Sequence, residues 1–193
     1  MKLFCALIMA CITVSCNNQS FQPVNDRVDG KQTVFPVTDF LNSQMHMVDS
    51  LQLPVMKFVT INNKTDSGLI SWDEFKVLAA DFLQPDISDP SISGLYKENS
   101  FADQSIPSVT LTYAAQNKDL EIRRVDITIN PNPVLYDKVR SIYLEKNSIR
   151  KDTFIHKKLY WRADRNFQII TTMQLQNQPS ATRILKCIWD YTD

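Results

Sequence analysis

From Ser108 to Trp189 apolar side chains recur at every second position, and that period limits what the chain can fold into. Successive side chains of a strand point to opposite faces, so a period of two gathers the apolar set on one face of a sheet. Val109, Leu111 and Tyr113 alternate, the polar run Gln116-Asn117-Lys118-Asp119 predicts a turn, and Leu120 and Ile122 resume the pattern. Val125, Ile127 and Ile129 continue out of phase. A β-bulge is therefore expected at Arg123-Arg124, because one extra residue restores the apolar face. Asn130-Pro131-Asn132-Pro133 closes that strand. Further strands are expected near 139–146, 153–162, 167–175 and 182–189, with turns at 164–166 and 177–180. Short polar turns between such strands imply an antiparallel meander.

Helical spacing precedes the sheet. Phe40, Leu41, Met45, Val48 and Leu51 predict a helix over 38–51, with Thr38 as its N-cap and Pro54 as its stop. The β-branched run 55–61 predicts a strand. Ser71 and Glu74 have the spacing of a capping box, and Ile70 and Phe75 that of a hydrophobic staple. Trp72, Phe75, Leu78, Ala79 and Phe82 then form one apolar face that ends before Pro85. Residues 84–106, punctuated by Pro90 and Gly94, are expected to form a loop. The expected fold class is α+β, with two N-terminal helices packed on a curved antiparallel sheet of about six strands in meander order.

The N-terminus carries a different signal. Lys2 is followed by an apolar run from Leu3 to Val14, then Ser15 and Cys16. A short positive region, a short apolar region and a small residue before the cleavage point describe an export signal. The run falls well short of the ~20 residues a spanning helix needs. The segment Thr13-Val14-Ser15-Cys16 resembles the lipobox of a bacterial lipoprotein, with Thr13 where leucine is most common. The resemblance implies that Cys16 carries the lipid and begins the mature protein. By that signal alone, the chain resembles small envelope lipoproteins with an α+β domain. Residues 1–15 are then the signal peptide, 16–36 a flexible tether and 37–193 a single domain. With no aspartate at position 17 and no acidic run after Cys16, the resemblance implies an outer-membrane lipoprotein facing the periplasm.

Cysteine count agrees with that organisation. Cys5 and Cys11 would leave with the signal, and Cys16 would be lipidated. Only Cys187 would remain, so no intramolecular disulfide is expected even in an oxidising compartment. Cys187 lies in the alternation Leu185, Cys187, Trp189 and reads as a small buried hydrophobe. Charge is uneven. Residues 16–103 carry 6 Lys+Arg against 12 Asp+Glu, and residues 104–193 carry 14 against 9. Halves that pack together and complement each other explain this asymmetry better than an anionic partner does. No basic run with interleaved aromatics suggests nucleic acid.

Several groups bear on chemistry. Around Gly68, residues Asn63, Thr65, Ser67 and Glu74 have the spacing of EF-hand ligands. The aspartates that supply charge are missing, however, and the preceding run is strand-like, so Glu74 reads as the capping residue. His46 and His156 have no ligand partners at metal spacing. Asp86, Asp89 and Asp103 are the only acidic group that suggests convergence. No cofactor is expected, and no nucleophile elbow or phosphate-cradling loop points to an enzyme. Tyr160, Trp161, Trp189 and Tyr191 place large aromatics on the late strands, as a speculative face for a ligand or partner.

These readings converge on a non-enzymatic binding or adaptor module. It would be held to the membrane by its N-terminal lipid and would act on an envelope protein through its sheet. The alternative is a carrier of a small hydrophobic ligand, with a pocket between helices and sheet; the third is an enzyme. Cys16→Ala is expected to abolish metabolic labelling of the protein with palmitate. Continued labelling would place the anchor elsewhere.

Overall fold

The computed structural model describes residues 34–103, 105–130, 138–176 and 178–190. Cys16 and Tyr191 lie outside the described residues, as do the expected signal and nearly all of the tether. Helix α1 spans Val37–Ser50 and α2 spans Trp72–Ala79, extended by a 3-10 turn at Ala80–Phe82. The strands are β1 Val55–Ile61, β2 Lys64–Ile70, β3 Tyr96–Asp103, β4 Ser108–Ala115, β5 Ile122–Asn130, β6 Lys138–Arg150, β7 Thr153–Arg162, β8 Asn166–Leu175 and β9 Ala181–Ile188. All nine form one sheet in the order β2-β1-β9-β8-β7-β6-β5-β4-β3, with every neighbouring pair antiparallel.

This corrects the expected two helices on six strands. The six expected strands are present as β4 to β9, and the bulge lies where the phase slip puts it, between Ile122 and Arg124. Three more strands join them. β1 pairs with β9, so the first and last strands of the described residues are neighbours and the order is not a simple meander. The β1–β2 hairpin also separates the two helices in sequence. β2 and β3 escape the sequence pattern because they are the two edges of the sheet. Edge strands are blunted with polar and charged residues and carry little alternation.

The β1–β2 hairpin turns on Asn62-Asn63, with φ of 49° and 62°. Two consecutive left-handed residues match the right-handed twist of the flanking strands, and asparagine tolerates that conformation better than most residues. The hairpin takes apart the EF-hand spacing. Asn63 is a turn residue, Thr65 and Ser67 lie on β2, and Glu74 lies on α2, where its carboxylate pairs with Lys57. The Ser71 hydroxyl accepts the Glu74 N–H at 3.3 Å, as the capping box requires. Thr38 does not cap α1; its hydroxyl donates to the Leu83 carbonyl.

One face of the sheet is the core. Across the strands Ile127, Ile142, Trp161, Phe167 and Cys187 face one another in register, and Val125, Leu144, Leu159, Ile169 and Leu185 form the next row. All ten are buried. Both helical segments lie on this face. α1 buries Val37, Leu41, Met45 and Val48, and its buried Gln44 is held by the turn after β7. The Gln44 amide donates to Asp164 Oδ1 at 2.9 Å, and the Asp164 N–H donates to Gln44 Oε1 at 2.6 Å. Phe75 and Phe82 insert among Trp161, Phe167 and Trp189, with ring centroids 5.2–6.4 Å apart. Packing begins before α1: Val34 is buried, and the Phe35 N–H donates to the Tyr113 hydroxyl.

Asn63→Val puts a β-branched residue at a left-handed position and is expected to cost about 1–2 kcal/mol in urea unfolding. Asn63→Gly is expected to leave stability unchanged or raise it slightly.

Candidate functional site

The helices and the loop between α2 and β3 serve only one face of the sheet. The other face begins, row by row, with the residues whose parity is opposite to the core. Near the β2 edge it is apolar. Leu69 faces Met56 and Met56 faces Ile188, Ile184 faces Ile170 two rows away, and the row between holds Phe58 facing Lys186. None of these six belongs to the buried core or packs against it. Five are half-buried by their neighbours in the sheet, and Leu69 is 69% exposed. A shallow open depression of about 280 Å³ lies at the end of this region, lined by Thr60, Asn62, Asn63, Ser180, Thr182 and Ile184.

Toward β4 the same face is polar and aromatic. Tyr160 faces Tyr143, which faces Asp126. Asp126 accepts hydrogen bonds at 2.8 Å from Thr112 Oγ1 and from Arg124 Nε. Burial, with Glu145 and Asp126 nearby, raises the Tyr143 phenol above its ordinary value. His156 faces Asn147, with Nδ1 and Oδ1 2.7 Å apart, and its Nε2 lies 3.6 Å from Glu145. The uncovered face therefore has an apolar half and a hydrogen-bonded, charged half.

The expected aromatic face is divided by the sheet. Tyr160 is on the uncovered face and 40% exposed. Trp161 and Trp189 are buried in the core cluster on the other side. The cause is parity, since Tyr160 and Trp161 are neighbours in one strand and must point in opposite directions. Met56, Phe58, Ile170, Ile184 and Ile188 had a signal of their own. Each adjoins a core residue in sequence, as in Ile169-Ile170 and Ile184-Leu185, and apolar neighbours in a strand mean apolar side chains on both faces.

The acidic group does not converge. Asp86, Asp89 and Asp103 each cap a local turn, accepting from the N–H and hydroxyl of Ser88, Ser91 and Ser105 respectively. These bonds hold the Asp89 and Asp103 carboxyls below the usual carboxylate range. His46 is exposed on α1, which packs on the core face, whereas His156 lies on the uncovered face. Among the described residues, no group of three or more His, Cys, Asp and Glu side chains is arranged to hold a metal ion.

Cations on the core face position α2 rather than a ligand. Lys57 pairs with Glu74 in the first turn, and Lys157 pairs with Asp81 at 2.6 Å past the last. Lys146, only 3% exposed, donates to the carbonyls of Asp81 and Gln84. Burial pushes its ammonium below the ordinary lysine range. Lys157 and Lys146 belong to the basic half of the chain and Asp81 to the acidic half, so part of the charge asymmetry is spent inside the fold.

No protein-family model matches this chain, and no match to it is found among curated proteins or solved structures.

Burial pushes the Cys187 thiol from its ordinary 9.0 up to about 12, which leaves it protonated and inert. Between those values the unfolded chain gives up a proton that the folded chain must keep, so stability falls as pH rises through that window. Tyr113, raised by burial to about 12, adds to the fall, whereas Lys146 with its lowered value opposes it. Cys187→Ala is expected to be less stable at neutral pH but to lose less on moving through that window, as read by urea unfolding at several pH values.

Proposed function

We propose that this chain is an envelope lipoprotein, anchored through Cys16 to the outer membrane and facing the periplasm, whose domain is a non-enzymatic binding or adaptor module. The uncovered face of its sheet makes the contact with a partner protein. The observation that carries this reading is the set of Met56, Phe58, Ile170, Ile184 and Ile188, apolar side chains on a face that no helix of the described residues covers. Apolar side chains left outside the core and set among polar ones, here with Lys186 beside Phe58, are characteristic of protein contacts. The charged half beside it supplies specificity, since unpaired or like charges penalise the wrong partner. A tether to the membrane raises effective concentration, so a contact of modest affinity suffices. The carrier reading has less support, because five aromatic rings occupy the space between helices and sheet where its pocket would lie.

The test uses the full-length chain in its own envelope, with a photo-crosslinking side chain at Tyr160 or, on the helix side, at His46. A discrete protein adduct is expected from Tyr160 and not from His46. Phe58→Lys should reduce that adduct at least about fivefold while changing stability by no more than about 1 kcal/mol, because Phe58 lies outside the core. No adduct from Tyr160, or the same adducts from both positions, would overturn the proposal.

A further inference from the structure

The two edges of the sheet differ in what they can pair with. β3, the edge beyond β4, runs as Tyr96-Lys97-Glu98-Asn99-Ser100-Phe101-Ala102-Asp103 and pairs with β4 through eight consecutive positions without a bulge or a proline. Lys97, Asn99, Ser100, Phe101 and Ala102 are exposed, and Phe101 is 67% exposed. An unpaired strand of this kind presents a free row of backbone donors and acceptors.

We infer that β3 pairs antiparallel with β3 of a second copy of this chain, about a two-fold axis at Ser100, to form one continuous sheet through the dimer. Charge complementarity points to this occupant. An axis at Ser100 sets Lys97 opposite Asp103 of the other copy, and Asp103 opposite the other copy's Lys97. Lys97 and Asp103 have the same parity, so both pairs form on the uncovered face. Directly opposed side chains across antiparallel strands have Cβ atoms about 5 Å apart, close enough for an ion pair. The axis also brings Phe101 opposite Asn99 and near the second Phe101, so the exposed ring gains cover.

β2 lacks this property. Its charges are Lys64 and Asp66, and they oppose each other only about an axis at Thr65, which leaves three residues in register. The self-complementary edge is therefore β3 alone. The pairing keeps like faces together, so the uncovered surface of one copy continues into that of the next. It also places the chain entries near each other. Val34 and Phe35 sit beside Tyr113, which faces Glu98 of β3, two residues from the axis. If the lipid anchor is as proposed, both tethers then start from the same side of the joint sheet; the pairing itself does not require the anchor.

Sedimentation of the signal-free chain over a wide concentration range tests this, together with two variants. Lys97→Glu places two like-charged pairs across the axis, and so does Asp103→Lys; each alone should weaken dimerisation about tenfold or more. An equimolar mixture of the two restores both attractive pairs and should yield a heterodimer at least as tight as the original dimer. Ser100→Cys, made in a chain that also carries Cys16→Ser, should give a disulfide-linked dimer under mild oxidation, since Cys187 is buried and the new thiol is then the one available. Thermal melts of each variant separate misfolding from lost association. A monomer at every concentration with no Ser100→Cys crosslink would overturn the inference, as would a dimer indifferent to Lys97→Glu. An open ladder of oligomers would also overturn it, because that outcome indicates β2 pairing with β3 of the next copy.

Discussion

The packing of Phe75 and Phe82 onto Trp161, Phe167 and Trp189 decides which face of the sheet becomes the interior. A nine-stranded antiparallel sheet has two faces, and among the described residues one helical layer covers one of them. The two phenylalanines come from a helix and from the 3-10 turn that extends it, and they reach ring partners on three consecutive segments of the sheet. Phe82 meets Trp161 edge-on at 5.2 Å, and Phe75 meets Trp189 edge-on at 5.7 Å. Such geometry adds to the burial of large rings and orients the helix as well as attaching it. It carries a cost, since the buried indole nitrogens of Trp161 and Trp189 find no hydrogen-bond acceptor among the described residues. Leaving such a donor unmade costs about 1–3 kcal/mol, which the ring contacts and the excluded water must offset.

Electrostatics reinforces the same choice. The third row of the core face turns from apolar to cationic where α2 ends, and Lys146 donates to the carbonyls that the end of a helical segment leaves unpaired. Lys157 and Lys57 tie down the Asp81 and Glu74 carboxylates on either end of α2. A lysine buried in this way is tolerated because its donors have partners. The covered face is therefore specified twice, once by aromatic shape and once by charge.

The proposed activity follows from the face left over. An adaptor needs a surface whose apolar residues the fold does not require, and Phe58, Ile170 and Ile184 fit that description. A dimer through β3 would enlarge the same surface without burying it. Neither idea calls on the EF-hand spacing, on Asp86 and Asp89 or on the buried thiol, because the structure gives each of those a local role in a turn, a cap or the core; Asp103 alone of the loop aspartates enters the dimer, in addition to its bonds to Ser105.

Much of this was legible in the residues alone. Strands β4 to β9, the bulge before Arg124, the Ser71–Glu74 cap and the burial of Cys187 follow from short-range rules, because side-chain alternation and capping are set by the backbone within a few positions. The edge strands β2 and β3 were not legible, since an edge is defined by the absence of a neighbour and its polar residues look like loop. Nor was the split between Tyr160 and Trp161 assigned to particular faces. Alternation says that two neighbours point apart, but only the docking of α2 says which of them points inward. Side-chain alternation was enough to specify strands with a consistent apolar side. That β1 closes on β9, and that the described residues leave one face uncovered and two edges unpaired, came only from the folded chain, because those facts depend on contacts between residues far apart in sequence.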